Sequence, residues 1–225
     1  MDWLANLLAE KRQDLPVVSL ADLERDGIVS RSGPEEFRTN FGKTFTLQPS
    51  IWARPRNEAE LVRVVAFAYQ QGLPLKPIGS LCTWSPAARP EQSGIALLTD
   101  RLSGVEYPDW QVLKDNVPCP PVEHAPVVAN AALIRRRHLM RVRSGTTIWD
   151  LNDALDRHGL ALKTMGAYGG ERVGGAFSTG THGSSVFFGP MSDSVVSVDL
   201  VWQGVAVRVE PANGPTDPQK FKESP

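Results

Sequence analysis

The stretch that decides the fold is residues 174–185, which read Gly-Gly-Ala-Phe-Ser-Thr-Gly-Thr-His-Gly-Ser-Ser. These twelve residues include four glycines, three serines, two threonines and one histidine, with no proline and no formal charge. We expect a loop outside the core, because glycine reaches left-handed conformations and lets the backbone approach a ligand closely. Successive N–H groups flanked by hydroxyls suit a bound oxyanion, especially a diphosphate.

A flexible glycine–serine linker is the alternative interpretation of this stretch. Against it, the run lies between two patterned segments and contains Ala176, Phe177 and His182, which flexible linkers seldom need. The ligand-binding interpretation is therefore favoured, and the linker stays open as the alternative.

The composition limits the class of protein. With 225 residues, 41% hydrophobic and 22% charged, the chain is expected to fold as one large domain or two small ones. A net charge of -1 gives no general reason to expect nucleic acid or an anionic membrane as a partner. Cys82 and Cys119 are too few for a disulfide scaffold and lack metal-ligand spacing with the histidines, so we expect no metal and a reducing, cytoplasmic compartment.

Residues 1–44 are interpreted as a lead-in that begins with a short amphipathic helix. An acidic residue at position 2 and the absence of a long apolar segment argue against a signal peptide. No apolar run approaches the roughly 20 residues that span a bilayer. Gly42-Lys43-Thr44 resembles the end of a phosphate-binding P-loop, but Phe37 stands where that motif needs glycine, so the motif is excluded.

Residues 45–105 predict a strand, a helix, a strand and a turn. Asn57 and Glu60 have capping-box spacing at the start of the helix, and Gly72 is a typical residue just beyond its end. Strands are predicted over residues 73–78 and 94–99. The small-residue turn that begins at Gly79 follows a strand, which is a common place for ligands in α/β folds, with a plain loop as the alternative.

Residues 106–138 are interpreted as an irregular insertion, since five prolines fall between 106 and 130, and the basic run at 135–138 as a solvated face. Residues 139–225 form a second unit. A strand is predicted over 139–143, a helix from Thr147 to about Gly159, and a hairpin of strands 195–201 and 205–209. The helical carboxylates are expected to face solvent or cap the helix, so none is nominated as a general base; they are Asp150, Asp153 and Asp156.

The motifs together point to a family. The chain lacks G-x-G-x-x-G, which disfavours a dinucleotide-binding Rossmann domain. It instead resembles the FAD-binding domain of the vanillyl-alcohol oxidase and p-cresol methylhydroxylase superfamily, with most similarity to sugar-lactone and alditol oxidases. The resemblance covers roughly residues 45–215 apart from the insertion. It is carried by Ile51-Trp52-Ala53-Arg54-Pro55, by residues 77–86, by Arg143-Ser144-Gly145-Thr146-Thr147, and by residues 174–193.

The resemblance implies an α+β fold of two α/β subdomains, residues 45–105 and 139–225, with the FAD pyrophosphate between two loops. The second subdomain would be incomplete at its C-terminal end. His182 would donate to a phosphate or the ribityl chain, or else hold the loop itself. The implied FAD contacts are Pro77, Ile78, Gly79, Ser80, Leu81, Cys82 and Thr83 in the first loop, and Ala167, Gly174, Gly175, Thr179, Gly180, Thr181 and His182 in the second.

The sequence departs from the family in two ways. Many relatives have a histidine bonded covalently to the flavin where this chain has Cys82, so a thioether bond and noncovalent FAD are both open. Relatives also continue to a substrate-binding cap, and we expect that part to be missing here. A full enzyme would transfer hydride from a CH–OH group to flavin N5, with O₂ or another acceptor. A noncatalytic flavin- or nucleotide-binding module and a purely structural domain are the alternatives.

Overall fold

The computed structural model describes residues 15–106 and 139–209. Three expectations fall outside these ranges: the helix that begins the lead-in, most of the insertion and the basic run. The described strands form one four-stranded and two two-stranded sheets, and we describe them as a first unit, a second unit and a closing hairpin.

The first unit is built on a four-stranded sheet. Its strands are β1 (Val29–Ser30), β2 (Ile51–Ala53), β3 (Leu75–Ile78) and β4 (Ile95–Leu98), in the order β1-β2-β4-β3. Both β2 and β3 run parallel to β4, whereas β1 is antiparallel to β2. All four residues of β4 are buried, as expected for a central strand covered on both faces.

Two helices, α1 (Leu20–Arg25) and α2 (Glu58–Gln70), lie in this unit. The Asn57 side chain accepts a hydrogen bond from the Glu60 amide, and Gly72 has φ of +63°, which confirms both predicted ends of α2. The capping box is only half formed, because the Glu60 carboxylate accepts from the Arg56 amide instead of from Asn57.

The sheet separates two apolar clusters, because side chains alternate between the faces of each strand. One face packs against α1 and α2 through Ile51, Ala53, Ile95 and Leu97. The other carries Trp52, Ile78, Ala96 and Leu98, and it is covered by Phe37, Phe45, Leu47 and Leu81. The lead-in is therefore part of the first core, and Leu81 fixes the turn after β3 to it.

The second unit contains β5 (Val105–Glu106) paired with β6 (Arg141–Val142), followed by α3 (Ile148–Asp156) and α4 (Val173–Ser178). Thr147 caps α3 by accepting from the Asp150 amide, and Gly159 has φ of +66°, as the sequence predicts. The core consists of Ile148, Leu151, Leu155, Val173, Ala176 and Met191.

A hairpin of β7 (Val198–Trp202) and β8 (Val205–Val209) closes the described chain. Gln203 and Gly204 both have positive φ, as a two-residue hairpin turn requires, which confirms the predicted connection. The first strand begins three residues later than the predicted start at position 195. Neither α2 nor any other helix of residues 15–106 and 139–209 is long and apolar enough to cross a membrane.

Candidate functional site

The glycine-rich stretch, residues 174–185, is not a loop throughout. The expectation that it contributes nothing to the core is wrong, because α4 covers Val173–Ser178 and Ala176 is buried in the second core. Each glycine in a helix costs about 1 kcal/mol relative to alanine. Burial of Val173 and Ala176, at about 25 cal/mol per Å² of apolar surface, outweighs that local preference.

The two glycines of α4 have different surroundings. A Cβ atom at Gly174 would lie 2.9 Å from the Ser144 Cβ, and the Gly174 amide donates to the Ser144 carbonyl at 2.8 Å. A Cβ atom at Gly175 would have no neighbour within 4 Å. Gly174 therefore permits close packing within the protein, whereas Gly175 leaves open surface.

In the loop after α4, every second amide from Thr179 to Gly183 donates a hydrogen bond within the protein. The amides of Thr179, Thr181 and Gly183 donate to protein acceptors. Those between them, on Gly180 and His182, donate no hydrogen bond within the described part of the chain. These two amides remain as candidate donors to a ligand.

The side chains of this loop are also partly engaged. The Thr179 hydroxyl donates to the Gly175 carbonyl at 2.9 Å, and the Thr181 hydroxyl lies 3.5 Å from a Glu171 carboxylate oxygen. His182 is exposed, and its Nδ1 lies 2.8 Å from the Gly183 carbonyl oxygen. This contact fits the interpretation of His182 as a residue that holds the loop.

The first loop, residues 77–83 (loop 1), has the opposite pattern. Its carbonyls accept from the protein, but no backbone N–H from Gly79 to Thr83 donates to any described residue. The accepting carbonyls are those of Ile78 (from Thr99), Leu81 (from Phe41) and Thr83 (from the Asn40 amide). Loop 1 thus turns its acceptors inward and has five amides free of protein acceptors.

Leu81 holds loop 1 in a conformation that a leucine rarely adopts. Its φ is +54°, and a left-handed residue other than glycine costs roughly 1–2 kcal/mol. Its side chain is only 5% exposed and packs in the cluster beneath the sheet. Burial of the side chain offsets the strain, and strain maintained by packing is typical of ligand-binding turns.

Asn40 is a supporting residue that sequence reasoning missed. It is 2% exposed, and its amide nitrogen donates to the Thr83 carbonyl and the Thr44 hydroxyl, both at 2.9 Å. Its amide oxygen accepts from the Thr44 and Phe45 amides. The only sequence signal was a turn near Gly42, which does not predict the contact with loop 1.

A third segment, residues 166–172 (the bridging segment), lies against loop 1. The Ser80 hydroxyl donates to the Gly170 carbonyl at 2.7 Å, and a Cβ atom at Gly79 would lie 3.6 Å from the Arg172 Cβ. The predicted contact Ala167 belongs to this segment and is exposed. Loop 1 is therefore joined to the second unit through residues that the sequence pattern did not single out.

Cys82 lies at this junction as a half-buried free thiol. Burial, and to a smaller extent the Glu171 carboxylate, raise the pKa of the Cys82 thiol above its usual range. The protonated thiol is therefore the dominant form at neutral pH.

Arg172 is a second residue that the sequence analysis missed. Its Nη1 donates to the Gly145 carbonyl at 2.5 Å, while its Nε is buried and has no hydrogen-bond partner among the described residues. Burial lowers the pKa of its guanidinium, whereas Asp100 acts in the opposite direction. The only signal in the sequence was a single basic residue among small ones.

The carboxylates of α3 have the surroundings that the sequence predicts. Asp150 accepts from the Thr147 hydroxyl, and Asp153 and Asp156 are exposed, as predicted. Within residues 15–106 and 139–209, no group of histidine, cysteine or carboxylate side chains is arranged to hold a metal ion.

This chain is similar in sequence and in fold to known proteins. The FAD binding domain family matches residues 130–208. Cholesterol oxidase from B. sterolicum superposes with a TM-score of 0.63 at 17% identity, covering 88% of this chain and 36% of that one. A chitooligosaccharide oxidase superposes with a TM-score of 0.64 at 14% identity, covering 85% and 36%. These similarities confirm the predicted α+β fold, and the match of residues 130–208 to the FAD binding domain family supports FAD as the cofactor.

Similar sequences include proteins named as sugar-lactone oxidases. D-arabinono-1,4-lactone oxidase of Candida albicans is 29% identical over 160 residues, which are 70% of this chain and 26% of that protein. L-gulonolactone oxidase of Mus musculus is 25% identical over 162 residues, covering 72% of this chain and 31% of that protein. The chain thus spans less than a third of the length of these two relatives.

Proposed function

We propose that this chain is the cofactor-holding part of a flavin-dependent oxidoreductase that oxidises a CH–OH group of a sugar lactone or related small alcohol. The names of the similar proteins, D-arabinono-1,4-lactone oxidase and L-gulonolactone oxidase, support this substrate class. O₂ or another small acceptor would take the electrons. Because the chain covers 26% and 31% of these relatives, the proposal concerns the whole protein of which this domain is a part.

The observation that carries the proposal is the set of free amides on loop 1. Five successive residues, 79–83, have no backbone N–H donating to the described protein, and Leu81 bends the backbone between them. Hydrogen bonds from N–H groups to an ionised oxygen are roughly twice as strong as neutral ones. A diphosphate, with several charged oxygens, is the part of FAD that such a loop fits.

The glycine-rich stretch would close the other side of the diphosphate with donors that are not consecutive. Gly175 offers open surface, and Gly180 and His182 have amides without protein acceptors. Gly174 would act through shape, because its amide already donates to Ser144. Ile78 is fully buried, so it would position loop 1.

The residues of this chain bind and orient the cofactor, and they exclude water from it. When bound, FAD supplies the hydride acceptor at flavin N5. Loop 1 would hold the diphosphate and so fix the position of the ring system relative to Cys82.

We further propose that FAD is bound noncovalently. The raised pKa of Cys82 keeps the thiol protonated, and a protonated thiol is a poor nucleophile. Acid precipitation of the FAD-loaded protein should release all flavin to the supernatant. A yellow pellet that disappears in Cys82→Ala would establish a thioether instead.

One titration tests the main proposal. The purified chain should quench FAD fluorescence with a saturable affinity and bind riboflavin, which lacks the diphosphate, at least ten-fold more weakly. Absence of FAD binding would favour the structural domain. Anaerobic addition of sugar lactones then separates the remaining readings: bleaching means that the chain catalyses turnover, and bound flavin without bleaching means that it only holds the cofactor.

The compartment and partners follow from the same chemistry. We propose a cytoplasmic, reducing location, supported by the free thiol of Cys82 and by the low cysteine count of two. Nucleic acid is not proposed as a partner, because the net charge is -1.

A further inference from the structure

We propose that Arg172 is a cofactor-binding residue, whose guanidinium provides the positive charge facing the diphosphate held by loop 1. This inference rests on the proposed function and adds to it a charged residue outside both predicted loops.

The position of Arg172 is fixed by loop 1 itself. The stem of the side chain lies against Gly79, where an added Cβ would be 3.6 Å from the Arg172 Cβ and 4.0 Å from its Cγ and Cδ. The neighbouring Ser80 hydroxyl donates to the Gly170 carbonyl at 2.7 Å, which holds the bridging segment in place. The stem of Arg172 thus lies beside Gly79, the first residue with a free amide.

The hydrogen bonding of Arg172 is incomplete. Nη1 donates to the Gly145 carbonyl, which orients the planar group. Nε is buried and lacks an acceptor among the described residues. A buried donor without a partner is unfavourable, and native proteins keep few of them.

The charge of Arg172 is not neutralised at contact distance. Arg172 belongs to none of the ion pairs found among residues 15–106 and 139–209. Asp100 is the largest contributor of negative potential at Arg172, but both its oxygens already accept from Arg54, whose charge acts in the opposite direction. Asp150 contributes weakly and accepts from the Thr147 hydroxyl. A cation without a counterion beside five free amides is a site that attracts an anion.

The neighbour of Arg172 in the bridging segment carries the opposite charge. A carboxylate oxygen of Glu171 lies 3.5 Å from the Thr181 hydroxyl, in the loop that follows α4. The two charged side chains therefore have different surroundings: Arg172 lies against Gly79 of loop 1, and Glu171 lies against Thr181.

The test compares two flavins that differ in charge. Affinities for FAD and riboflavin are measured by fluorescence quenching for the wild-type chain, Arg172→Gln and Arg172→Lys. Arg172→Gln should weaken FAD binding at least ten-fold and change riboflavin binding less than two-fold, whereas Arg172→Lys should stay within about three-fold for FAD. Arg25→Gln, which removes an equal charge from a side chain that is 70% exposed, is the matched control and should change neither affinity.

Thermal unfolding separates cofactor binding from a structural role. In Arg172→Gln the melting temperature without FAD should stay near that of the wild type, and the increase produced by FAD should shrink, because ligand stabilisation follows affinity. A lower melting temperature without FAD, together with equal loss of both flavins, would make Arg172 a structural residue and overturn the proposal.

The remaining outcomes are also decisive. If the wild-type chain binds no FAD, the proposed function fails and this inference fails with it. If the wild type binds FAD and Arg172→Gln binds it equally well, only the inference fails. If Arg172→Gln does not fold, Arg172→Lys decides: a folded variant within three-fold of the wild type supports the proposal, and a larger loss overturns it.

Discussion

Loop 1 and the glycine-rich stretch look like two similar halves of one binding site, but their backbones are used differently. In residues 79–83 no amide donates to the described protein, and one leucine takes a left-handed conformation. In residues 174–185 the first half is helical, and three of the amides that follow donate within the protein. The free amides of loop 1 are consecutive, whereas those of Gly180 and His182 alternate with amides that donate within the protein.

The difference shows that glycine content and ligand-binding capacity are separate properties. Gly174 is small because Ser144 lies against it, so its absent side chain is explained by packing alone. Leu81 is large and buried, yet its backbone helps to free the amides around it. The position of the carbonyls, more than the size of the side chains, decides which loop can donate to an anion.

The largest effect should come from removing the anchor of loop 1. Leu81→Ala deletes a buried side chain and leaves the residue at positive φ, so the free energy of unfolding should fall by about 2–5 kcal/mol. FAD affinity should fall with it, because the free amides lose their fixed positions. Urea unfolding followed by circular dichroism, with FAD titration in parallel, measures both.

The matched control is the residue directly after the glycine-rich stretch. Val186 is 90% exposed, so Val186→Ala should change the unfolding free energy by less than about 0.5 kcal/mol. A Leu81→Ala variant as stable as Val186→Ala would show that loop 1 is not held by its buried side chain, and the contrast between the two regions would be lost.

A smaller effect should separate the two glycines of α4. Gly174→Ala places a Cβ 2.9 Å from the Ser144 Cβ, and forcing that contact should cost about 1–3 kcal/mol. Gly175→Ala meets no atom within 4 Å and should stabilise the helix by about 0.5–1 kcal/mol. The two melting temperatures should therefore move in opposite directions.

The same two variants also test whether Gly175 contributes to FAD binding. If Gly175 approaches the diphosphate, Gly175→Ala should weaken FAD binding although the protein becomes more stable. Equal FAD affinity in Gly175→Ala and the wild type would remove Gly175 from the binding surface. Equal destabilisation by both substitutions would contradict the packing account of Gly174.

Much of the fold could be predicted from local sequence rules. The ends of α2 and α3 were predicted because Asn57, Thr147, Gly72 and Gly159 act within one helical turn. The hairpin was predicted because Gln203-Gly204 determines its own turn. These features depend on neighbours in the chain, which a sequence displays directly.

The features missed at the candidate site depend on distant parts of the chain. Asn40 supports Thr83 across 43 positions, and Ser80 bonds Gly170 across 90. The helical form of residues 174–178 results from burial against the second core, which overrides the poor helix propensity of glycine. Local sequence patterns do not predict such contacts, so the roles of Arg172 and Asn40 could be identified only from the structure.

The smallest effect concerns the Cys82 end of loop 1. The reactive form of cysteine is the thiolate, so a pKa raised first by burial and then by Glu171 slows alkylation at pH 8. Glu171→Gln removes the second cause and lowers the pKa, although burial still keeps it above its usual range. Iodoacetamide should therefore modify Cys82 faster in Glu171→Gln than in the parent, both measured in a Cys119→Ser background.

The pH dependence makes this result specific. The ratio of the two rates should be largest below both pKa values and should approach one at high pH, where both thiols are ionised. A ratio that stays constant with pH would mean that Glu171→Gln changed access to the thiol and left its ionisation unaltered. In that case Glu171 would not account for the raised pKa of Cys82, and burial would remain as its cause.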